Sequence, residues 1–349
     1  MTSSACCTGA RGAWPLAVGI AVLLAISGCG GSTRRASVAT TGKPMVSAAS
    51  AALADLQQSF VGVIDRTAPE VVQISNSQGL GSGVVFDHQG DVVTNAHVVA
   101  AGGPLQITDS SGHPYPATLI GTFTPDDIAV VRGKGLSARG ASFANSGTLR
   151  VGDIVLAIGN PLGLRSSVTN GIVSALGRTV TEPNGTVLPN VIQTSAPINP
   201  GNSGGALVNL NGAVVGIPTL AATDPELGGT APGIGFAIPS SVVSDIANQL
   251  IARSHVTDSH RAYLGVELAS GLINGAVVVS VTPGSPAARA GIRPGDAITS
   301  IAGQPVGDPS DVAAVLATLQ PGRTVKIAIV TPSGSSATVE ATLEQYPGS

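Results

Sequence analysis

Between positions 61 and 239 the chain is a succession of short runs of Val, Ile and Leu, each bounded by Gly, Asn, Asp or Pro. The runs at 71–75, 83–86, 92–94, 128–131, 154–158, 171–175, 191–193, 205–208, 214–217 and 235–237 read as strands, with turn residues between them. About 180 residues in this style predict two small β-barrels packed together. At Ser240 the rhythm changes. Val242, Val243, Ile246, Leu250 and Ile251 recur at helical spacing, which predicts a helix over 240–254 with Ser240 or Ser241 as its N-cap. Positions 263–346 form a further unit, with strands at 263–268, 276–281, 297–301, 325–331 and 337–343 and helical pieces at 286–290 and 310–319. The predicted fold is mainly β: a double barrel, a linking helix and turn at 241–262, and one small α+β domain.

Composition narrows the functional classes. The 349 residues include only 11% charged side chains, a net charge of −3 and 46 glycines. Lacking a basic balance, the chain does not read as a nucleic-acid binder. With 43% hydrophobic residues it has ample material for a core and is not a disordered chain. The five histidines (His88, His97, His113, His255 and His260) have no paired spacing, so no metal site is expected.

The N-terminus reads as an address. Positions 14–26 (WPLAVGIAVLLAI) are uncharged and too short for a span of about 20 residues, which fits the apolar part of a signal peptide over 1–28. The sequence Ile26-Ser27-Gly28-Cys29 resembles the lipobox of bacterial lipoproteins, and that resemblance implies lipidation at Cys29. Cleavage there removes Cys6 and Cys7 and leaves no thiol for a disulfide or a Cys metal site. The alternative is an uncleaved anchor. The polar stretch over 29–59 reads as a flexible tether. An exported protein of the cell envelope is expected, held to the membrane by the lipid or the retained segment.

Three residues carry the candidate chemistry. Ser203 lies in Gly201-Asn202-Ser203-Gly204-Gly205, where glycines allow a sharp turn that projects the hydroxyl and converges backbone N–H groups. The amides of Gly201 and Ser203 are the expected oxyanion hole. His97 follows a predicted strand, and Asp127 stands just before the apolar run 128–131. Taken singly, each has an ordinary structural explanation. Their order, His then Asp then Ser in one β-rich region, is that of chymotrypsin-like proteases. His97 then acts as general base, and Asp127 holds its tautomer. Asp126 competes for that role, but Asp127 directly abuts the apolar run.

The blocks at 81–99, 126–131, 149–164, 168–178, 193–217 and 233–240, in that order, resemble the high-temperature-requirement A (HtrA) family of serine proteases. The resemblance covers nearly all of a protease domain at 60–240. It implies a trypsin-like double barrel, with His97, Asp127 and Ser203 on the catalytic positions. Two departures stand out: the loop at 75–81 is short, against a long-loop inhibited hexamer, and 132–139 is less typical. Six residues before the nucleophile stands Pro197 rather than an acid, so cleavage after Lys or Arg is not expected. Ile198 and Ile217 suggest a small apolar specificity pocket. The patternless stretch 219–233 is expected to be a mobile loop bordering it.

Leu264, Gly265 and Val266 open the last unit, and with 277–306 they resemble a PDZ domain of the same family. That implies β-augmentation by peptide C-termini, whose carboxylate meets the 264–266 loop, with the helix at 310–319 as the other wall. The expected function is an exported serine endopeptidase of protein quality control, acting on unfolded or damaged proteins, with peptide binding to the PDZ domain modulating it. The family resemblance suggests a homotrimer. No cofactor is expected, because acyl transfer by a triad needs none. The alternative is a chaperone or peptide-binding scaffold with little proteolysis.

Overall fold

A computed structural model describes residues 46–348, apart from 78, 161–166, 183–184, 200, 225–228 and 271–274. The 1–28 leader and Cys29 lie outside the described residues. Residues 1–49 and 50–349 form two separate units, and the second carries the two barrels and the C-terminal domain. Among the described residues no helix is long and apolar enough to cross a membrane.

Helix α1 runs Val46–Thr67. The helix therefore begins well inside the stretch expected to be a tether, and position 60 falls within it. Its apolar residues Phe60, Val63 and Ile64 pack against the main core, which offsets the entropy of ordering a polar segment.

The first barrel is closed by β1 (Val71–Ser75), β2 (Leu80–Val85), β3 (Asp91–Asn95), β4 (Leu105–Thr108), β5 (Pro114–Phe123) and β6 (Ile128–Gly133), in the order β1-β2-β3-β6-β5-β4. A one-turn helix α2 (Ala96–Val99) follows β3. The second barrel is closed by β7 (Ile154–Gly159), β8 (Ser167–Thr181), β9 (Val187–Thr194), β10 (Ala206–Asn209), β11 (Val214–Asp224) and β12 (Gly229–Pro239), in the order β10-β11-β12-β9-β8-β7.

Where both faces of a strand are covered, its apolar run is continuous. In β6, Ala129 and Val131 join a cluster confined to the first barrel, whereas Ile128 and Val130 join the large cluster that both barrels share. In β7, Val155 and Ala157 go to a cluster of the second barrel, and Leu156 and Ile158 to the shared one. The shared core is thus the seam that fixes one barrel against the other, and the candidate site residues come from both sides of it.

Helix α3 (Ser240–Arg253) is not a free linker. Val243, Ile246, Ala247 and Leu250 are buried in the shared core, so the helix belongs to the protease unit. Ser240 and Ser241 do not cap it; Pro239 occupies the N-cap. Instead Ser240 Oγ donates to the Ala144 carbonyl at 2.6 Å, and Ser241 Oγ lies 2.8 Å from Ser146 Oγ.

In the C-terminal domain the expected single strand at 263–268 is broken in two. β13 (Ala262–Tyr263) pairs with the terminal β20 (Glu344–Gln345). β14 (Val266–Ser270) begins a sheet with β15 (Ala276–Val281), β16 (Ala297–Ile301), β18 (Thr324–Val330) and β19 (Ser336–Thr342), and β17 (Gln304–Pro305) pairs with β16. Helices α4 (Pro286–Arg289) and α5 (Pro309–Ala317) complete it. The break falls at Gly265, whose φ is +83°, and a Cβ there would meet Ser285 Cβ at 2.2 Å. Only glycine fits that bend.

Candidate active site

Backbone geometry of the first barrel joins His97 to Asp127. Asp127 closes a 3₁₀ turn (Thr124–Asp126) in the left-handed region, with φ 50° and ψ 42°. That strained bend lies immediately before β6, which pairs with β3, and His97 stands on α2 just after β3. The Asp127 carbonyl accepts the Ala96 amide at 3.0 Å and Asn95 Nδ2 at 3.1 Å. Its carboxylate is used at both oxygens. Oδ1 accepts the His97 amide at 2.9 Å, and Oδ2 lies 2.8 Å from His97 Nδ1. The imidazole is therefore fixed as the Nδ1–H tautomer, with Nε2 left for a substrate-side proton. Asp126, the competing acid, turns away and pairs with Arg261 at 2.9 Å.

Burial works to lower the His97 pKa, but the hydrogen bond and charge of Asp127, with the charge of Glu182, outweigh it and set the group above its ordinary 6.5.

Ser203 comes from the second barrel. Its carbonyl accepts the Ser82 amide of β2 at 2.9 Å, which ties the nucleophile turn to the first barrel. Gly204 makes this close approach possible. At φ +79° a Cβ would lie 2.2 Å from the Ser82 carbonyl oxygen and 2.4 Å from Thr94 Oγ1. The Ser203 hydroxyl donates to the Thr219 carbonyl at 2.8 Å, and no hydrogen bond joins it to His97. The His97–Asp127 pair is thus joined, while the Ser203 hydroxyl rests on another acceptor. Catalytic hydrogen bonds of this kind commonly tighten only with substrate bound. The amides of Gly201 and Ser203, the expected oxyanion hole, donate to no described residue.

Thr219 was not anticipated as a site residue. It lies on β11, and its buried hydroxyl reaches Asp127 Oδ2 at 2.9 Å and Glu182 Oε1 at 2.5 Å. One residue thus touches Ser203 with its carbonyl and Asp127 with its side chain. In the stretch 219–233, expected to be a patternless loop, residues 219–224 and 229–233 instead lie on β11 and β12, with Ala221 paired to Gly235 and Asp224 to Gly229. A Thr directly after Ile217-Pro218 in an apolar strand was the available signal. Glu182 carried none, since its partners are 37 and 55 positions away.

Both proposed pocket residues, Ile198 and Ile217, are buried. Ile217 on β11 pairs with Ile238 of β12, and Ile198 faces the β12 backbone, where a Cβ on Gly235 would meet its Cγ1 at 2.4 Å.

His97, Asp127 and Glu182 each place one potential ligand atom within 4.8 Å of the others. The Thr219 hydroxyl bridges the two carboxyls and Asp127 engages His97 Nδ1, so the triple reads as a hydrogen-bonded set and not as a cation site.

In the C-terminal domain, β14 is the sheet edge. A cavity of about 220 Å³ beside it is lined by Leu264, Gly265, Val266, Leu268, Val312 and Leu316 among others, so the three loop residues and the α5 wall do converge. The amides of Leu264 and Gly265 donate to no described residue.

Comparison with known proteins agrees with this geometry. The trypsin-like peptidase domain family matches residues 81–217, and the PDZ domain family matches 277–331. The chain is 41% identical over 277 residues to the periplasmic pH-dependent serine endoprotease DegQ of Escherichia coli (strain K12), covering 76% of this chain and 60% of DegQ. It therefore spans less than two thirds of that relative. It is 37% identical over 361 residues to the serine protease PepD of Mycobacterium tuberculosis (strain ATCC 25618 / H37Rv), covering 94% of this chain and 77% of PepD. Among solved structures, the HtrA-type protease AlgW with a decapeptide is 30% identical at a TM-score of 0.58, over 82% of this chain and 99% of AlgW. A serine endoprotease from Yersinia pestis is 33% identical at 0.56, over 81% and 97%. A barrel pair carrying His, Asp and Ser, followed by a PDZ domain and matched over nearly the whole chain, places this protein in the HtrA family of trypsin-like serine proteases.

Proposed function

We propose that the protein is an exported serine endopeptidase that cleaves unfolded or damaged proteins. The observation that carries the reading is the convergence of His97, Asp127 and Ser203 around Thr219, from the facing edges of two barrels. His97 Nε2 takes the Ser203 proton as the hydroxyl attacks the scissile carbonyl, then returns it to the leaving amine. Asp127 stabilises the imidazolium, and the Gly201 and Ser203 amides hold the oxyanion. Substrate binding must first draw the Ser203 hydroxyl from the Thr219 carbonyl toward His97.

Peptide binding to the PDZ groove modulates this step. In support, α5 packs on β9 of the second barrel, and Arg261 and Ala317 line both the peptide groove and a cavity of about 360 Å³ between the domains. AlgW, as named, was solved with a decapeptide, which supports an extended peptide as ligand. Periplasmic relatives support export. Lipidation at Cys29 and a homotrimer belong to the same reading and rest on resemblance.

The test is a fluorophosphonate probe on the purified protein, with the modified residue located by mass spectrometry. Labelling at Ser203, lost in Ser203→Ala together with protein hydrolysis, is expected. Hydrolysis retained by Ser203→Ala overturns the mechanism. A folded protein that neither labels nor cleaves, even with C-terminal peptides added, returns the reading to a chaperone or scaffold.

A further inference from the structure

Glu182 is a buried acid that the proteolytic mechanism does not use. It stands just beyond β8, at a turn in which its amide donates to the Thr186 carbonyl at 2.8 Å and its own carbonyl accepts the Gly185 amide. Its Oε1 is 2.5 Å from Thr219 Oγ1, which is 2.9 Å from Asp127 Oδ2. A hydroxyl has one proton to give, and ionised carboxylates have none. Two carboxyls on one threonine hydroxyl therefore need a second proton. Asp127 is a poor place for it, because both of its oxygens already accept N–H groups of His97. The Ser203 proton is spent on the Thr219 carbonyl. A hydrogen bond also joins the Glu182 and Asp127 side chains, which likewise needs a proton on one of them, and Glu182 is the carboxyl left to carry it.

We propose that Glu182 is a positioning residue for the triad that works as a neutral carboxylic acid: it donates its own proton to Thr219 Oγ1 and so leaves the Thr219 proton for Asp127. The resulting line runs Glu182–Thr219–Asp127–His97. It fixes Thr219 by its side chain, and with it the carbonyl on which Ser203 rests. The electrostatics agree. Burial, then the charge of Asp127 and a side-chain hydrogen bond with it, push the Glu182 pKa up, against the Thr219 hydrogen bond and the His97 charge. The titratable groups facing Glu182 are these two, Asp127 and His97; Asp126 nearby is turned to Arg261. When Glu182 ionises at rising pH, two carboxylates compete for one Thr219 proton and the line loses its register.

The proposal rests on the proteolytic reading of the site, so its test uses one readout independent of catalysis. Infrared difference spectra of the full chain against Glu182→Gln at neutral pH should show the loss of one protonated-carboxyl C=O band. The pH profile of kcat/KM is the second readout. Glu182→Gln stays neutral and still offers an N–H, so it should fall by no more than about threefold, whereas Glu182→Ala should lose about tenfold or more. Glu182→Gln should also lack one alkaline loss present in the wild type. If Glu182→Gln does not fold, Thr219→Val removes the acceptor instead, and the band should shift. No band lost or shifted, or a Gln variant as impaired as the Ala variant, overturns the proposal. A band behaving as expected in a chain that does not cleave protein would sink the proteolytic reading and leave the proton on Glu182.

Discussion

Asp127 sits in a bend that brings it to His97. It is a non-glycine residue at φ 50°, a conformation costing about 1–2 kcal/mol, and the bend lets one carboxylate meet both the amide and the ring of His97. Asp127→Asn keeps the shape but favours the wrong imidazole tautomer, and should lower kcat by about 10⁴ in a peptide-hydrolysis assay. Proteolysis needs neutral His97, and its pKa is raised. The rate should therefore fall as pH drops through that raised value, and the midpoint of the acid limb should lie above 6.5 in a kcat/KM profile. The preference for Asp127 over Asp126 was legible because Asp127 abuts the strand that pairs with β3. The role of Thr219 was not. Its partner Asp127 is 92 positions away, and its place after Ile217-Pro218 in an apolar strand does not say which residue its hydroxyl meets.

At the level of elements, most strands were legible as apolar runs, and those such as β6 and β7 because both faces are covered. β4 and β5 were missed. The β5 sequence PYPATLIGTF has two prolines and a glycine and is only partly buried, so it lacks the pattern that marks a central strand. The nucleophile turn depends on an element contact, the approach of the 203–204 backbone to β2. Gly204→Ala puts a Cβ into the Ser82 carbonyl and strains a positive φ. It should cost about 2 kcal/mol or more of stability and abolish fluorophosphonate labelling of Ser203. Thermal unfolding and the labelling assay check both; a fully labelled, equally stable variant would show that the turn tolerates a Cβ.

At the scale of the whole molecule, Arg261 ties the C-terminal domain to both barrels. Arg261 is the residue before β13. It donates to Asp126 Oδ1 at 2.9 Å and to the Val187 carbonyl at 2.7 Å, and both groups of the pair are largely buried. Removing one partner leaves an uncompensated buried charge. Arg261→Ala should therefore destabilise the chain by about 3–5 kcal/mol in denaturant unfolding. Adding Asp126→Asn should recover part of the loss, because the orphaned charge is then gone. Full additivity of the two changes would show that they do not interact.

The sequence by itself determined the strands of the two barrels through runs of branched apolar residues, and its resemblance to the HtrA family supplied the PDZ domain and the expected roles of His97, Asp127 and Ser203. Tertiary structure alone decided that Ser203 rests on Thr219, that the Thr219 hydroxyl meets both Asp127 and Glu182, and that Arg261 reaches Asp126. Each of these depends on side chains brought together across the seam of two closed barrels or between domains. Such contacts leave no periodicity in the chain, because closure, and not the neighbouring sequence, sets which residues face each other.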